Sequence, residues 1–325
     1  MKRFPVACVL LEPAMQNVGV ILPKAGYLKS LINLCEANGS VCIFDEVKTG
    51  FRTQLGGYQA KENLKPHLSV FGKAVANGYP LGIIGGKREI MQQFDHADPT
   101  KRVLIAGMYN AHPVNTIAAI ATLEILKKPA VYEHITKVSN QLYDGLKTLF
   151  REKGIVVSLV NNASAFCVYF AENAPTDLHD ILETVDFATD VKYRKALIDK
   201  GVYHIPIACK QGSVSYSHTA EDIAKTLEIT QEVLKAPNRT GTVRRCGPRP
   251  DGGLTRTPNN ETKQPPKKLP HRGLGGFVSL QPHVGVAVYV HQTHSKPSGG
   301  VCHGIYSDAL SNSFYVAFCV KRHQK

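Results

Sequence analysis

Apolar residues in the first 236 positions fall into two alternating textures. Continuous apolar runs at residues 6–11 and 41–44 predict strands buried on both faces, the second ending in Asp45-Glu46. Between them residues 25–37 place Leu28, Leu31, Ile32 and Cys35 on one helical face. Short strands are predicted at 69–71, 81–84 and 103–106. After His112-Pro113 a helix runs to Lys127, with Ile117, Ile120, Ala121 and Ile125 as its inward stripe. Strands of uniform apolarity alternating with helices predict an α/β fold with a mainly parallel sheet covered on both sides.

A second style begins near Pro129. Val131, Ile135, Val138, Leu142, Leu146 and Leu149 recur at steps of three and four, a long amphipathic helix whose stripe is core. Strands follow at 155–160 and 166–170, a helix at 186–200 stopped by Gly201, and strands at 202–207 and 213–216. Thr219 with Asp222 forms a capping box for a last helix that turns Ile223, Leu227 and Leu234 inward. Residues 129–236 thus form a small α+β domain after a larger unit at 1–128.

From Pro237 the texture breaks. PNRTGTVRRCGPRPDGGLTRTPNNETKQPPKKLPHRG is rich in Pro, Gly, Arg and Lys, has almost no apolar periodicity and reads as disordered. The break in style at 237–325 points to an alternative terminus, or to translation from a shifted frame or a retained intron. Charge follows the same boundary. The chain of 325 residues carries a net charge of +13. Residues 239–325 hold thirteen Lys/Arg and three acids, net +10, which leaves net +3 on the rest. The basicity therefore says little about the body. RRCGPRP (244–250) and the Lys267-Lys268 pair lack the aromatic interleaving of a nucleic-acid surface and read as a solvated linker. His291, His294, Cys302 and His303 match no zinc-finger spacing, so no metal site is expected. No apolar run reaches 18 residues, so no membrane span is expected. The start, MKRFPVACVLLEP, lacks a small-residue cleavage site and reads as no signal peptide. Eight scattered cysteines without a CxxC pair fit reduced thiols of a cytoplasmic protein.

Two motifs carry chemistry. In VCIFDEVKTGFR (41–52) an apolar strand delivers Asp45 at its carboxyl end, where open α/β sheets place ligands. Three readings stand: the metal-binding acid of an NTPase, a structural ion pair, or a cofactor-binding acid. The first lacks its phosphate loop, since LGIIGGKR (81–88) only approaches the required spacing. In SVFGKAVANGYPLG (69–82) Lys73 follows Gly72 among Val70, Phe71, Ala74 and Val75. A lone lysine is ordinarily a solvated charge, but a desolvated one offers a neutral, nucleophilic amine. Taken together, a strand-end acid and a desolvated lysine 28 residues apart match what pyridoxal phosphate needs. The acid keeps the pyridine nitrogen protonated, and the lysine holds the aldehyde and then moves protons.

Residues 6–236 resemble the class III aminotransferases of the fold-type I pyridoxal-phosphate group, particularly the glutamate-1-semialdehyde aminomutase-like branch. The resemblance runs through LLEPAMQNVGVILPKAGYL, VCIFDEVKTGFR, SVFGKAVANGYPLGIIGGKREIM, AGMYNAHPVNTIAAIATLEIL and GVYHIPI…SVSYSHTAEDI. It implies a truncated large domain, a small carboxyl-terminal domain and a homodimer acting on an amino acid or amine. It also implies that Lys73 forms the aldimine and shuttles the proton, that Asp45 pairs with the ring nitrogen, and that Val47 packs on one ring face. Asn17 would lie near the ring hydroxyl, and His112-Pro113 matches the family's Asn-Pro before a helix. Met108 stands where the family usually has a threonine that binds the cofactor phosphate across the dimer interface; a thioether cannot donate that hydrogen bond. The family's amino-terminal half, with its phosphate-cradling turn, has no counterpart in this sequence. The activity implied is transamination or aminomutation. The alternative is a non-catalytic remnant of such an enzyme, and nucleic-acid binding through the tail is the weakest reading. Cys209, Lys210 and His204 read as loop or core residues, with a place facing substrate as the alternative.

Overall fold

A computed structural model describes residues 5–235, and every structural statement below concerns those residues; the tail, with its histidines, lies outside them. In chain order the elements are β1 (Cys8–Leu11), α1 (Tyr27–Ala37), β2 (Val41–Asp45), α2 (Gly57–Lys61), β3 (Leu68–Phe71), β4 (Ile83–Gly86), α3 (Arg88–Met91), α4 (Pro113–Leu126), α5 (Pro129–Glu152), β5 (Ser158–Asn162), β6 (Ala165–Tyr169), α6 (Leu178–Thr184), α7 (Phe187–Asp199), β7 (Gly212–Ser213) and α8 (Ala220–Lys235). The first four strands form one sheet in the order β1-β2-β3-β4. β1, β2 and β3 are parallel, and β4 joins antiparallel. All three parallel strands therefore open their carboxyl ends on the same side of the sheet. β2 turns Cys42 and Phe44 inward, both fully buried, against Leu28, Ile32 and Cys35 of α1.

The second sheet, β5-β6-β7, is antiparallel. β6 is its central strand and is buried along its whole length, as a continuous apolar run requires. Its period of two splits the side chains between two cores. Phe166 and Val168, with Phe170 just beyond the strand, pack with Val138, Leu142, Leu146 and Phe150 of α5 and with α7 and α8. Cys167 and Tyr169 turn the other way, onto the strap that follows β1 (Val20, Ile21). There the Tyr169 hydroxyl accepts from Val20 N at 2.8 Å and donates to Val18 O at 3.0 Å. Gly19, between those two contacts, has φ +94° and faces the Tyr169 ring so closely that a Cβ would collide with the hydroxyl. Gly19→Ala is accordingly expected to destabilise the fold by about 1–3 kcal/mol, enough to read as a lower denaturant midpoint.

The structure corrects several expectations. β1 is an edge strand with Leu10 41% exposed rather than a strand buried on both faces, and the strand expected at 213–216 is the two residues Gly212–Ser213. Residues 103–106 are not a strand: Val103 N bonds Gln93 O at 2.9 Å, no neighbouring strand is available to pair, and Leu104 is 70% exposed. Residues 202–207 are likewise coil. They are tied to α7 instead, through Val202 N to Leu197 O and Arg194 Nη1 to Ile205 O. On α4 the inward face is Asn115 and Ala119, whereas Ile117, Ile120 and Ile125 point outward. That helix is apolar nearly all round, so periodicity has no polar side to mark. Small Ala119 permits the close approach to Val75 and Ala76 that sets its orientation. The capping box stands as expected, with Thr219 N bonding Asp222 Oδ2 and Asp222 N bonding Thr219 Oγ1.

Candidate active site

The chemistry-bearing residues gather at the carboxyl ends of β1, β2 and β3. β2 ends on Asp45. One of its carboxylate oxygens accepts from Val47 N at 3.0 Å, a local turn that fixes the side chain, and the other is left without a partner among the described residues. Glu46, next in sequence, points the opposite way and is wholly buried. It accepts from Thr49 Oγ1, Tyr58 N and Gln59 N, so it anchors the 47–59 loop. Burial raises its pKa, and those hydrogen bonds pull it back down.

β3 ends at Phe71, and Gly72 passes the chain to Lys73 at the start of a short 3₁₀ turn, Lys73–Ala76. Lys73 has φ +47°, a left-handed conformation that costs a residue with a Cβ on the order of 1 kcal/mol and is found where function demands it. Val47 lies against Gly72: a Cβ there would stand 3.4 Å from Val47 Cγ1. Desolvation lowers the pKa of the Lys73 amine, Asp45 and Glu12 act to raise it, and Arg52 adds to the lowering. Lys73 thus opens to solvent along part of its length while its ammonium sits among charges, with Asp45 the nearest-acting carboxylate.

The strap after β1 forms the third wall. Glu12 holds it, accepting from Gln16 N at 3.0 Å and Asn17 Nδ2 at 3.1 Å. Lys48 Nζ donates to Gln16 O at 2.7 Å and Lys210 Nζ to Asn17 O at 2.9 Å. Arg52 Nε donates to Lys48 O at 3.1 Å, and its Nη1 to Ser164 Oγ at 3.0 Å. Lys48 is the most perturbed of these cations: desolvation first, then Lys73, Lys210 and Arg52, push its pKa down to about 8 against the opposing pull of Glu12. The sign of the consequence is fixed. The unfolded chain keeps Lys48 protonated up to its ordinary pKa near 10.5, the folded chain only to about 8, so this group adds stability as pH rises from 8 towards 10.5. Lys48→Gln should flatten that increment, visible as the wild-type-minus-variant difference in urea unfolding between pH 7.5 and 10.

Of the residues singled out from the sequence, Asp45, Val47 and Lys73 are brought together, and Asn17 stands on the adjoining strap. Met108 is not drawn in: it is 91% exposed in the turn closed by Asn110 N to Gly107 O. His112 caps the start of α4 with its backbone, and its side chain makes no capping bond. His204 packs edge-on against Phe166, and burial with the nearby Arg194 charge lowers its pKa to about 4. It is half-buried in the coil that follows α7. Glu12, Lys48 and Arg52 were not legible as site residues; nothing in their local sequence distinguishes them from surface charges, and only the fold carries them to Lys73.

Pyridoxal phosphate fits this donor set. There is an amine held in strained backbone, a carboxylate with one unspent oxygen at a strand end, and an apolar branched side chain between them. The architecture is that of the fold-type I pyridoxal-phosphate transferases, with a strand-end aspartate and a post-strand lysine at the carboxyl edge of a mainly parallel sheet. Comparison with known proteins agrees. The sequence profile described as "Aminotransferase class-III" matches residues 1–234, and the chain belongs to the class III aminotransferase family. A glutamate-1-semialdehyde 2,1-aminomutase of Thermodesulfovibrio yellowstonii is 37% identical over 230 residues, covering 71% of this chain and 53% of that protein. Another from Dechloromonas aromatica is 39% identical over 222 residues, covering 68% and 51%. Among solved structures, one described as a transaminase with PLP bound is 27% identical, with a TM-score of 0.61 over 70% of this chain and 52% of that one. The chain spans about half the length of the curated relatives it matches. No described helix is long and apolar enough to cross a membrane, and no described cluster of His, Cys, Asp or Glu has the makings of a metal site.

Proposed function

We propose that this chain binds pyridoxal phosphate through Lys73 and takes part in amino-group transfer, as a transaminase or an aminomutase. The observation that carries the reading is the convergence of Lys73, Asp45 and Val47 at one sheet edge, with Lys73 in left-handed backbone. The cofactor supplies an aldehyde that condenses with amines and a ring that accepts the electron pair left at a substrate's Cα. Asp45 would offer its unspent oxygen to the ring nitrogen and by its charge keep it protonated. Val47 would pack on the ring and keep water from it. Lys73 Nζ would be the point of attachment, and as a free amine it would serve as the base that holds and moves the substrate's Cα proton. Asn17, held on the strap by Glu12 and Lys210, would be the residue near the ring hydroxyl. In this reading residues 1–128 and 129–236 are the cofactor-binding and small domains, the active form is a homodimer, and the free thiols of Cys8, Cys35, Cys42, Cys167 and Cys209 suit the cytoplasm.

A second reading, a non-catalytic member of the family, draws on one observation: Leu104, Ile105, Met108, Tyr109, Ile117 and Ile120 are all exposed. Exposed apolar side chains in this number ordinarily lie under another chain or segment. Titration with pyridoxal phosphate followed by an amino donor separates the two. Transfer predicts a new absorbance band near the edge of the visible that the donor bleaches while an oxo acid accumulates. Protein that stays colourless in excess cofactor leaves only the second reading.

A further inference from the structure

Four cations surround the site, and only two carboxylates face them. Lys48, Arg52, Lys73 and Lys210 act on one another's charge, with Glu12 and Asp45 as the opposing acids. Glu12 is already spent on Gln16 N and Asn17 Nδ2, and Glu46 is turned away into the 47–59 loop. An ammonium has three N–H donors. Lys48 and Lys210 each spend one on the carbonyls of adjacent residues, Gln16 and Asn17, which sets both head groups side by side on one strap. Both side chains are half-buried and neither has a carboxylate partner.

Lys210 is not there by accident of a flexible tip. The preceding residue's backbone is fastened to α7, Cys209 N donating to Asp190 Oδ2 at 2.6 Å, and Asp190 Oδ1 takes Arg194 Nε at 2.6 Å. Arg194 in turn reaches Ile205 O, so a buried ion pair holds both ends of the 205–209 segment. Lys48 is fixed from the other side, since Arg52 Nε binds its carbonyl and Arg52 Nη1 binds Ser164. Bringing four like charges together without enough counter-charge is costly, and the fold spends two separate scaffolds on doing so.

We propose that Lys48 and Lys210 form a carboxylate-binding pair beside Lys73, which selects substrates carrying an acid group over uncharged amines. The inference rests on the amino-group-transfer reading above. A site that surrounds the Lys73 amine meets whatever is bonded close to the reacting carbon, and in an amino acid that neighbour is a carboxylate. The lowered pKa of Lys48 follows first from desolvation and then from the neighbouring cations. Its sign gives a signature that a purely structural lysine lacks. The groups facing Lys48 are Lys73, Lys210, Arg52 and Glu12, with Asp45 beyond Lys73. A bound anion favours protonated Lys48, so affinity is full below about pH 8 and falls by up to tenfold per pH unit above it.

The test uses the full chain without added cofactor, so that colourless protein and failed carboxylate binding remain separate results. Glutarate, with glutaramide as its uncharged analogue, is titrated by calorimetry between pH 7 and 9.5. The pair predicts that glutarate binds and glutaramide does not, that affinity declines above pH 8, and that Lys48→Gln and Lys210→Gln each weaken binding at least tenfold. Glutamine keeps a donor for the strap carbonyl while removing the charge; Lys210→Arg should restore binding, and Lys147→Gln on the exposed side of α5 should change nothing. Equal binding of the two ligands, no binding of either, wild-type affinity in both glutamine variants, or affinity that is flat across the pH range overturns the proposal. So does inorganic phosphate that binds more tightly than glutarate and excludes it, because the cluster would then belong to the cofactor. If the glutamine variants fail to fold, the wild-type pH series and the glutaramide comparison decide alone.

Discussion

Lys73→Ala is expected to abolish both the absorbance band formed with pyridoxal phosphate and any amino-group transfer, while leaving the fold intact. The side chain opens to solvent along part of its length and belongs to none of the apolar cores, so circular dichroism and the denaturant midpoint should stay close to wild type. The chemical loss is large for two separable reasons. The proton carrier beside the reacting carbon is gone, which alone costs about 10²–10⁴ in rate, and the covalent attachment is lost as well. The backbone gives an internal control. Alanine keeps the left-handed strain at φ +47° but glycine does not, so Lys73→Gly should be more stable than Lys73→Ala by roughly 1 kcal/mol and equally inactive. A Lys73→Ala protein that still forms the band would place the attachment elsewhere, with Lys48 the first candidate.

The largest stability effect is expected at Asp190. Both it and Arg194 are buried, and Asp190 accepts from Arg194 Nε and Cys209 N at once. Asp190→Ala leaves a guanidinium in the interior with no counter-charge and a buried N–H without an acceptor, a loss of about 3–5 kcal/mol. In a folded unit of this size that lowers the melting temperature by roughly 10 °C. Asp190→Leu combined with Arg194→Met should recover much of the loss, because removing both charges also removes their desolvation cost. The double variant would nonetheless leave the 205–210 segment without its tether, so Lys210 should lose its place on Asn17 O. Stability and ligand selectivity are thus expected to separate: the pair of substitutions restores the first and not the second. Urea unfolding read beside glutarate binding checks this directly.

The sheet was legible because its signal is physical and local. Continuous apolar runs favour burial on both faces, and the runs around Cys42 and Phe166 did become interior strands, whereas the run at 6–11 became an edge strand with Leu10 exposed. Asp45 and Lys73 were legible because each is a charge placed at the end of such a run, where the fold exposes strand ends to ligands. Other features rest on partners far away in the chain. The stripe of α4 pointed the wrong way because that helix has no polar face, and small Ala119 rather than the isoleucines set its approach to Val75 and Ala76. Residues 103–106 have the composition of a strand but no neighbour to pair with. Lys48, Arg52 and Lys210 lie up to 162 residues apart, and each is locally indistinguishable from a solvated cation. The strap between β1 and α1 gathers Lys48 and Lys210, and Arg52 is held beside them by Lys48 O and Ser164.

Among several crowded lysines, Lys73 is the one proposed to hold the cofactor. Treating the protein with pyridoxal phosphate, reducing with borohydride and mapping the modified peptide by mass spectrometry tests it most directly. The account predicts one dominant adduct, on Lys73, in the segment that follows β3, with Lys48 and Lys210 unmodified. An adduct centred on Lys48 or Lys210, or label spread evenly over surface lysines, would contradict it.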